Sequence, residues 1–129
     1  VAVCGMGEPG RCQPSFSQTL NIVTGLGRTC SLNSTLRALT WFGEWSLRDP
    51  KEAHRHLGPL GVDTQLQGRG IGSQLIGEWC KLLDAHRVTG YLETDKGVNV
   101  GFFKKFGFET VSEAKVLGTR NWFMLRDAK

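Results

Sequence analysis

No apolar run in the 129-residue sequence approaches the roughly 20 residues that a bilayer-spanning helix needs, so no membrane span is expected. The four cysteines (Cys4, Cys12, Cys30 and Cys80) show no CxxC or other metal-ligand spacing, and no metal ligand can be nominated. Cys80 falls in a helical pattern and reads as a buried free thiol. No secretory leader opens the chain, so a reducing cytoplasm is the expected compartment. Repeats, low-complexity tracts and linkers are missing, and the length suits one domain over 1–129. Excess charge is small: Lys+Arg 16 against Asp+Glu 12 gives +4. Without aromatic–basic interleaving or a recognition helix, that charge does not support a nucleic-acid partner. Tyrosine occurs once, at Tyr91, on a strand whose alternation is expected to turn it away from the neighbours of Glu93.

What is present is organised around Leu57–Leu75, LGPLGVDTQLQGRGIGSQL. An apolar run ends at Val62, a polar hinge follows, and Gly68, Gly70 and Gly72 open an amphipathic segment. This pattern predicts a strand, a tight turn and the first turn of a helix. Such a first turn has unpartnered N–H groups and the positive end of the helix dipole. Glycines there let an anion approach the backbone, so the turn is a candidate phosphate cradle. On its own GRGIG fits close helix–strand packing as well. It is neither GxGxxG nor a P-loop, since its third glycine comes one residue early and no Lys-Ser/Thr follows.

Taken in order, Val1–Cys4 reads as a strand and Gly7–Ser15 as a turn-rich stretch. Phe16–Gly27 suits a helix with Ser15 as N-cap. A second helix is expected over Ser31–Leu47, stopped by Asp49-Pro50. Its Leu32, Leu36, Leu39, Trp41, Phe42 and Trp45 read as a core-packing face. His54–Val62 is a strand with His54, His56 and Leu60 near one face and Arg55 and Leu57 on the other. Gly58-Pro59 breaks that count, predicting a bulge at which the strand leaves its neighbour and opens a cleft. A helix follows to about His86, then a strand over Thr89–Glu93, parallel to the previous one through a right-handed crossover. Asp95 and Lys96 turn the chain into a short helix, Val98–Phe106, ended by Gly107. Phe108–Leu117 and Arg120–Arg126 alternate as a hairpin about Gly118-Thr119. The expected class is α/β, a mixed sheet with helices on its faces, a central splayed parallel pair and a C-terminal antiparallel hairpin.

Two motifs in this order are more specific than either alone. Gln67-Gly68-Arg69-Gly70-Ile71-Gly72 fits Q/R-x-x-G-x-G/A after a strand, and Asn99-Val100-Gly101-Phe102-Phe103 leads on to Gly107-Phe108. Together they resemble the GNAT superfamily of acetyl-CoA-dependent N-acetyltransferases over about His54–Arg126. The resemblance implies acetyl-CoA as cofactor and transfer of its acyl group, by direct attack, to a small-molecule or peptide amine. It implies that main-chain groups of Leu60, Gly61 and Val62 pair with the pantetheine arm. Gln67, Gly68, Arg69, Gly70, Ile71, Gly72 and Ser73 would then hold the pyrophosphate, chiefly through backbone amides. Asn99, Phe102 and Phe103 would form the opposite wall. Lys104 and Lys105 could neighbour the phosphates or simply be a solvated face. By the same resemblance, 53–129 is the cofactor-binding core, while 1–52 supplies a strand and a helical segment. The chain begins VAVCG, so a fragment starting at the family's third strand is expected, with Cys12–Pro50 as a helical lid over the acceptor. An exposed Val1–Cys4 edge would invite a homodimer.

Glu93, at the C-terminal end of a parallel strand where ligands of α/β sheets gather, is the first candidate base. His56 and His54 follow, and Asp95 reads as a turn residue. One departure stands out: many relatives carry a thiolate-protonating tyrosine where this chain has Phe103. The alternative function is therefore a domain of the same fold that binds CoA without turnover.

Overall fold

A computed structural model describes residues 1–8 and 13–129; Pro9 to Cys12, part of the turn-rich stretch and the start of the expected lid, lie outside them. The order is β1 (Ala2–Gly7), α1 (Phe16–Thr29), α2 (Leu32–Ser46), β2 (His54–Val62), a 3-10 turn (Thr64–Leu66), α3 (Ile71–His86), β3 (Thr89–Thr94), α4 (Gly97–Lys104), β4 (Glu109–Val116) and β5 (Thr119–Arg126). The five strands form one mixed sheet in the order β1-β2-β3-β5-β4. Only β2 and β3 are parallel. This is the expected α/β class. Among the described residues no helix is long and apolar enough to cross a membrane.

Local sequence accounts for the helix starts. Ser15 caps α1 by accepting from the Gln18 N–H, while Gln18 Oε1 accepts from the Ser15 N–H, a reciprocal capping box. Ser31 caps α2 through the Ser34 N–H. The hairpin turns one residue earlier than expected. Val116 pairs with Thr119, so Leu117 and Gly118 are the two loop residues, at φ 49° and 90°. A two-residue loop that matches strand twist needs positive φ at both positions, which Gly118-Thr119 would not supply.

The core lies between the sheet and α3 with α4. Ile76, Trp79, Cys80 and Leu83 of α3 meet Leu92, Phe108 and Met124. Trp79 and Phe108 stack at 5.6 Å between centroids. Buried Arg126 ties the end of β5 to this layer. Its Nη1 and Nη2 donate to the two carboxylate oxygens of Asp84 at 2.8 and 2.9 Å, and Nε donates to the Phe106 carbonyl.

The opposite face is thinly covered. In α1 no residue is buried and in α2 only Thr35 is. Leu32, Leu36 and Phe42 are 76%, 54% and 42% exposed, so the expected core-packing face of α2 does not form. The reason is geometric: α3, not α2, fills the large apolar face of the sheet. Trp41 and Trp45 pack instead on each other, with ring centroids 3.7 Å apart, beside the open end of β2 and β3.

Candidate functional site

β2 and β3 stay paired only from His54↔Thr89 to His56↔Tyr91, after which they part. The cause is visible on the other edge of β2. Between the pairs Cys4↔Leu60 and Met6↔Leu57, β2 carries one residue more than β1, a bulge at Gly58-Pro59. Gly58 and Gly5 meet there closely, since a Cβ on Gly58 would lie 3.4 Å from the Gly5 carbonyl carbon. The extra residue also reverses the alternation. Leu60 was expected on the histidine face but packs with Leu57 against the α3 core.

The Asp63 N–H donates to the Val1 carbonyl at 2.9 Å, and Ala2↔Val62 and Val3↔Gly61 continue that register. Alternation along an antiparallel ladder therefore turns the polar groups of Gly61 toward β1 and those of Leu60 and Val62 toward the edge β3 has left. Of the three residues expected to pair with a ligand arm, Leu60 and Val62 turn main-chain groups to the open edge, while Gly61 turns its own to β1. The Val62 carbonyl is taken by Gln67 Nε2 at 3.0 Å, which closes the turn against the strand.

That turn delivers the start of α3. Gly68 and Gly70 have φ of 76° and 79°, and Gly70 is the helix N-cap with no side chain bonded to the first turn. A pocket of about 410 Å³ covers these amides, lined by Gln67, Gly68, Gly70, Ile71, Gly72 and Ser73, with Val62, Leu66 and Phe102 completing it. Uncapped amides beside glycines at positive φ fit an anionic group. Arg69 is exposed and does not line this pocket.

A larger cleft of about 790 Å³ continues from it through Val62, Gly72 and Phe102 into the fork. Leu60 forms one wall and Asn99, Phe102 and Phe103 the other, with Trp41 and Trp45 at the far end. Asn99 Nδ2 donates to Thr94 Oγ1 at 3.0 Å, fixing α4 to the end of β3. Phe103 is 6% exposed and belongs to the core while touching the cleft.

At the fork His56 meets Glu93. His56 Nε2 lies 2.9 and 2.8 Å from the two Glu93 oxygens, and the side chains are 20% and 7% exposed. Burial pulls the His56 pKa down, but the hydrogen bond and charge of Glu93, helped by Asp49, outweigh it and leave the pKa raised. Tyr91 shares this face, with its ring 5.1 Å from His56 and 5.5 Å from His54. It does not point away from Glu93's surroundings as expected, because residues two apart on a strand share a face. Its hydroxyl donates to the Arg48 carbonyl at 3.3 Å. Burial first, then the charges of Glu93 and Asp49, push its pKa up. His54 is buried, with Nδ1 donating to the Glu52 carbonyl and Nε2 3.2 Å from Asp49 Oδ1. It therefore holds the end of α2 rather than facing the cleft. Asp95 is an exposed bend residue, as expected.

A splayed parallel pair, a glycine-opened helix N-terminus below it and a C-terminal hairpin together define an acyltransferase-like fold. Residues 37–110 match the family described as acetyltransferase (GNAT) domain. That is more than half of the sequence, and the chain belongs to this family. Solved structures agree on the fold. The whole chain aligns to 58% of an HPA2-type histone acetyltransferase and related acetyltransferase from Corynebacterium glutamicum, at 15% identity and a TM-score of 0.69. The ribosomal-protein-S18-alanine N-acetyltransferase of Escherichia coli matches 59% of this chain over 55% of its own, at 18% identity and TM-score 0.55. Naa50 of Arabidopsis thaliana, in complex with the bisubstrate analogue CoA-Ac-MVNAL, matches 57% over 54%, at 22% identity and TM-score 0.52. The chain thus spans just over half the length of these structures.

Proposed function

We propose that the protein transfers an acetyl group from acetyl-CoA to a primary amine, with the His56–Glu93 pair accepting the proton that the amine loses. The observation that carries this reading is the fork. An unpaired strand edge, an uncapped helix N-terminus and a histidine–carboxylate pair open onto one continuous cleft.

The backbone amides of Gly68–Ser73 would hold the pyrophosphate and the free edge of Leu60 and Val62 the amide-bearing arm, as an added strand. Asn99, Phe102 and Phe103 would close the other side. When bound, acetyl-CoA supplies an acyl carbon already activated as a thioester, so a C–N bond forms as the C–S bond breaks. The Val62 N–H faces the fork and is the group offered to the developing negative charge on the acyl oxygen. Glu93 occupies Nε2 of His56, which leaves Nδ1 to receive a proton. The carboxylate stabilises the imidazolium so formed. Phe103 cannot protonate the departing sulfur. A thiol of pKa ~8.5 is a tolerable leaving group, and solvent in the open cleft supplies its proton.

Phe103 also favours a second reading, a domain that binds CoA without turnover. Calorimetric titration of acetyl-CoA, on wild type and Gly70→Glu, combined with a thiol-release assay over a panel of amines, separates the two. Binding lost in Gly70→Glu together with amine-dependent thiol release is the expected result. Binding without release from any amine selects the second reading. A folded wild type that binds no acetyl-CoA overturns both.

A further inference from the structure

We propose that the acceptor is an aliphatic diamine, whose second positive charge sits in an aromatic and acidic side pocket behind His56 and Glu93. The identity of the acceptor rests on the acyl-transfer reading above; the binding of the dication does not.

The pocket lies on the α2 face of the sheet and measures about 220 Å³. Trp41, Trp45 and Tyr91 wall it, and Asp49 and Glu93 supply its acidic groups. Both carboxylates are shielded, with side chains 14% and 7% exposed. Asp49 is held in place at the end of α2: Gln13 Nε2 donates to Oδ2 at 3.1 Å, and His54 Nε2 stands 3.2 Å from Oδ1. Arg48, the permanent cation nearby, offsets these charges only in part, because its own partners lie elsewhere. The Arg48 guanidinium donates through Nη1 to the Glu44 carboxylate at 2.6 Å, and its Cζ sits 5.5 Å from the centre of the Phe123 ring. The combined field is negative enough that Glu93 and Asp49 together raise the Tyr91 pKa against the opposing influence of Arg48, adding to the effect of burial.

Ring faces next to shielded carboxylates attract an organic cation and repel anions. Size narrows the class. Sites for drug-sized ligands run to about 300–1,000 Å³, so 220 Å³ suits a short methylene chain ending in an ammonium group. Trp41, Trp45, His56 and Glu93 line both this pocket and the main cleft, so one molecule can reach both. Its reacting nitrogen would lie at His56–Glu93 and its second nitrogen under the tryptophans. A monoamine fills only the first position.

The test uses a dication that cannot be acetylated, 1,4-bis(trimethylammonium)butane, titrated into the full chain with calorimetry and tryptophan fluorescence as readouts. Saturable binding is expected, weakened at least tenfold in both Asp49→Asn and Trp45→Leu, each checked for a wild-type melting curve. No saturable binding, or binding unchanged in the variant that keeps its fold, overturns the proposal. Kinetics give the second arm: kcat/KM for 1,4-diaminobutane is expected to exceed that for butylamine by tenfold or more. Equal values overturn the proposal. If neither amine is acetylated while the dication still binds in an Asp49-dependent way, the cation pocket stands and the diamine falls as acceptor; the acyl-transfer reading is then decided by the amine panel above.

Discussion

Gly90 offers the sharpest quantitative test of how the fork is built. It lies in β3 opposite Arg55 of β2 and Arg126 of β5. A Cβ added there would lie 2.4 Å from Leu83 Cδ1, 3.1 Å from Trp79 Cη2 and 3.4 Å from Phe108 Cζ. Leu83 and Phe108 are 0% and Trp79 is 1% exposed, so none can swing into solvent. In Gly90→Ala either Leu83 leaves its rotamer or α3 rides outward. Overpacking of this kind costs about 1–3 kcal/mol. Lower chain entropy in the unfolded state returns only about 0.4–1 kcal/mol. With roughly 2.1 cal/mol/K of unfolding entropy per residue, a net loss of about 1.3 kcal/mol lowers Tm by about 5 °C in a chain of 129 residues. Leu83→Ala alone should cost ~2–5 kcal/mol through its cavity. In the double variant the new methyl partly fills that cavity, so the loss should fall short of additivity by about 1–2 kcal/mol. Calorimetric melts and urea midpoints of the four proteins measure both quantities. A Gly90→Ala melt within a degree or two of wild type, or strict additivity, would refute the close packing of α3 on β3.

Further outcomes follow from the charges and edges. In Glu93→Gln, His56 loses the partner that raises its pKa and keeps the burial that lowers it. The acidic limb of kcat/KM should therefore move to lower pH, with a plateau reduced about 10²–10³-fold; an unmoved limb would remove His56 as the proton acceptor. Arg126 and the Lys129 N–H hold the Asp84 pKa down to about 2 from 3.8. A depressed carboxylate stabilises above its ordinary pKa and loses that effect as pH falls through its folded value. The Tm gap between wild type and Asp84→Asn should accordingly be full at neutral pH and shrink from about pH 4 toward pH 2. At the edge of the sheet, the register that turns Val3 toward β2 leaves the Ala2 N–H facing outward. If a second copy pairs there, light scattering should show a dimer that Ala2→Pro abolishes without unfolding the monomer; a wild-type monomer at all concentrations refutes it.

How far the site was legible varied with how local its cause was. The cap at Ser15, the bulge at Gly58-Pro59 and the glycine turn after Val62 depend on backbone conformation within a few residues, and all were readable. Strand position singles out Glu93 and imidazole chemistry His56, each independently of the other. Their mutual contact was not readable, because it depends on the register His56↔Tyr91 between strands joined through a whole helix. In sequence Asp49 reads only as a helix stop, and Trp41 and Trp45 only as core. The signal that could have found them was shared: an acid and two tryptophans one turn apart, just before a strand carrying His54 and His56. An amphipathic pattern marks a helix but does not supply a surface for its apolar side, and α2 has little.

The sequence by itself determined the order of elements, the class of sheet and the glycine-opened helix start. Each follows from periodicity, from turn chemistry or from the φ values that glycine permits. Only the tertiary structure decided which side of β2 is open. One inserted residue shifts the alternation, turning Gly61 to β1 and Leu60 to the core. Only tertiary structure, too, left the apolar side of α2 largely uncovered, since α3 takes the large apolar face of the sheet and α2 lies against the other. The tryptophans freed in this way became a wall beside His56 and Glu93. A side chain's face can be counted along a strand; what stands opposite it cannot, because the partner lies far away in sequence.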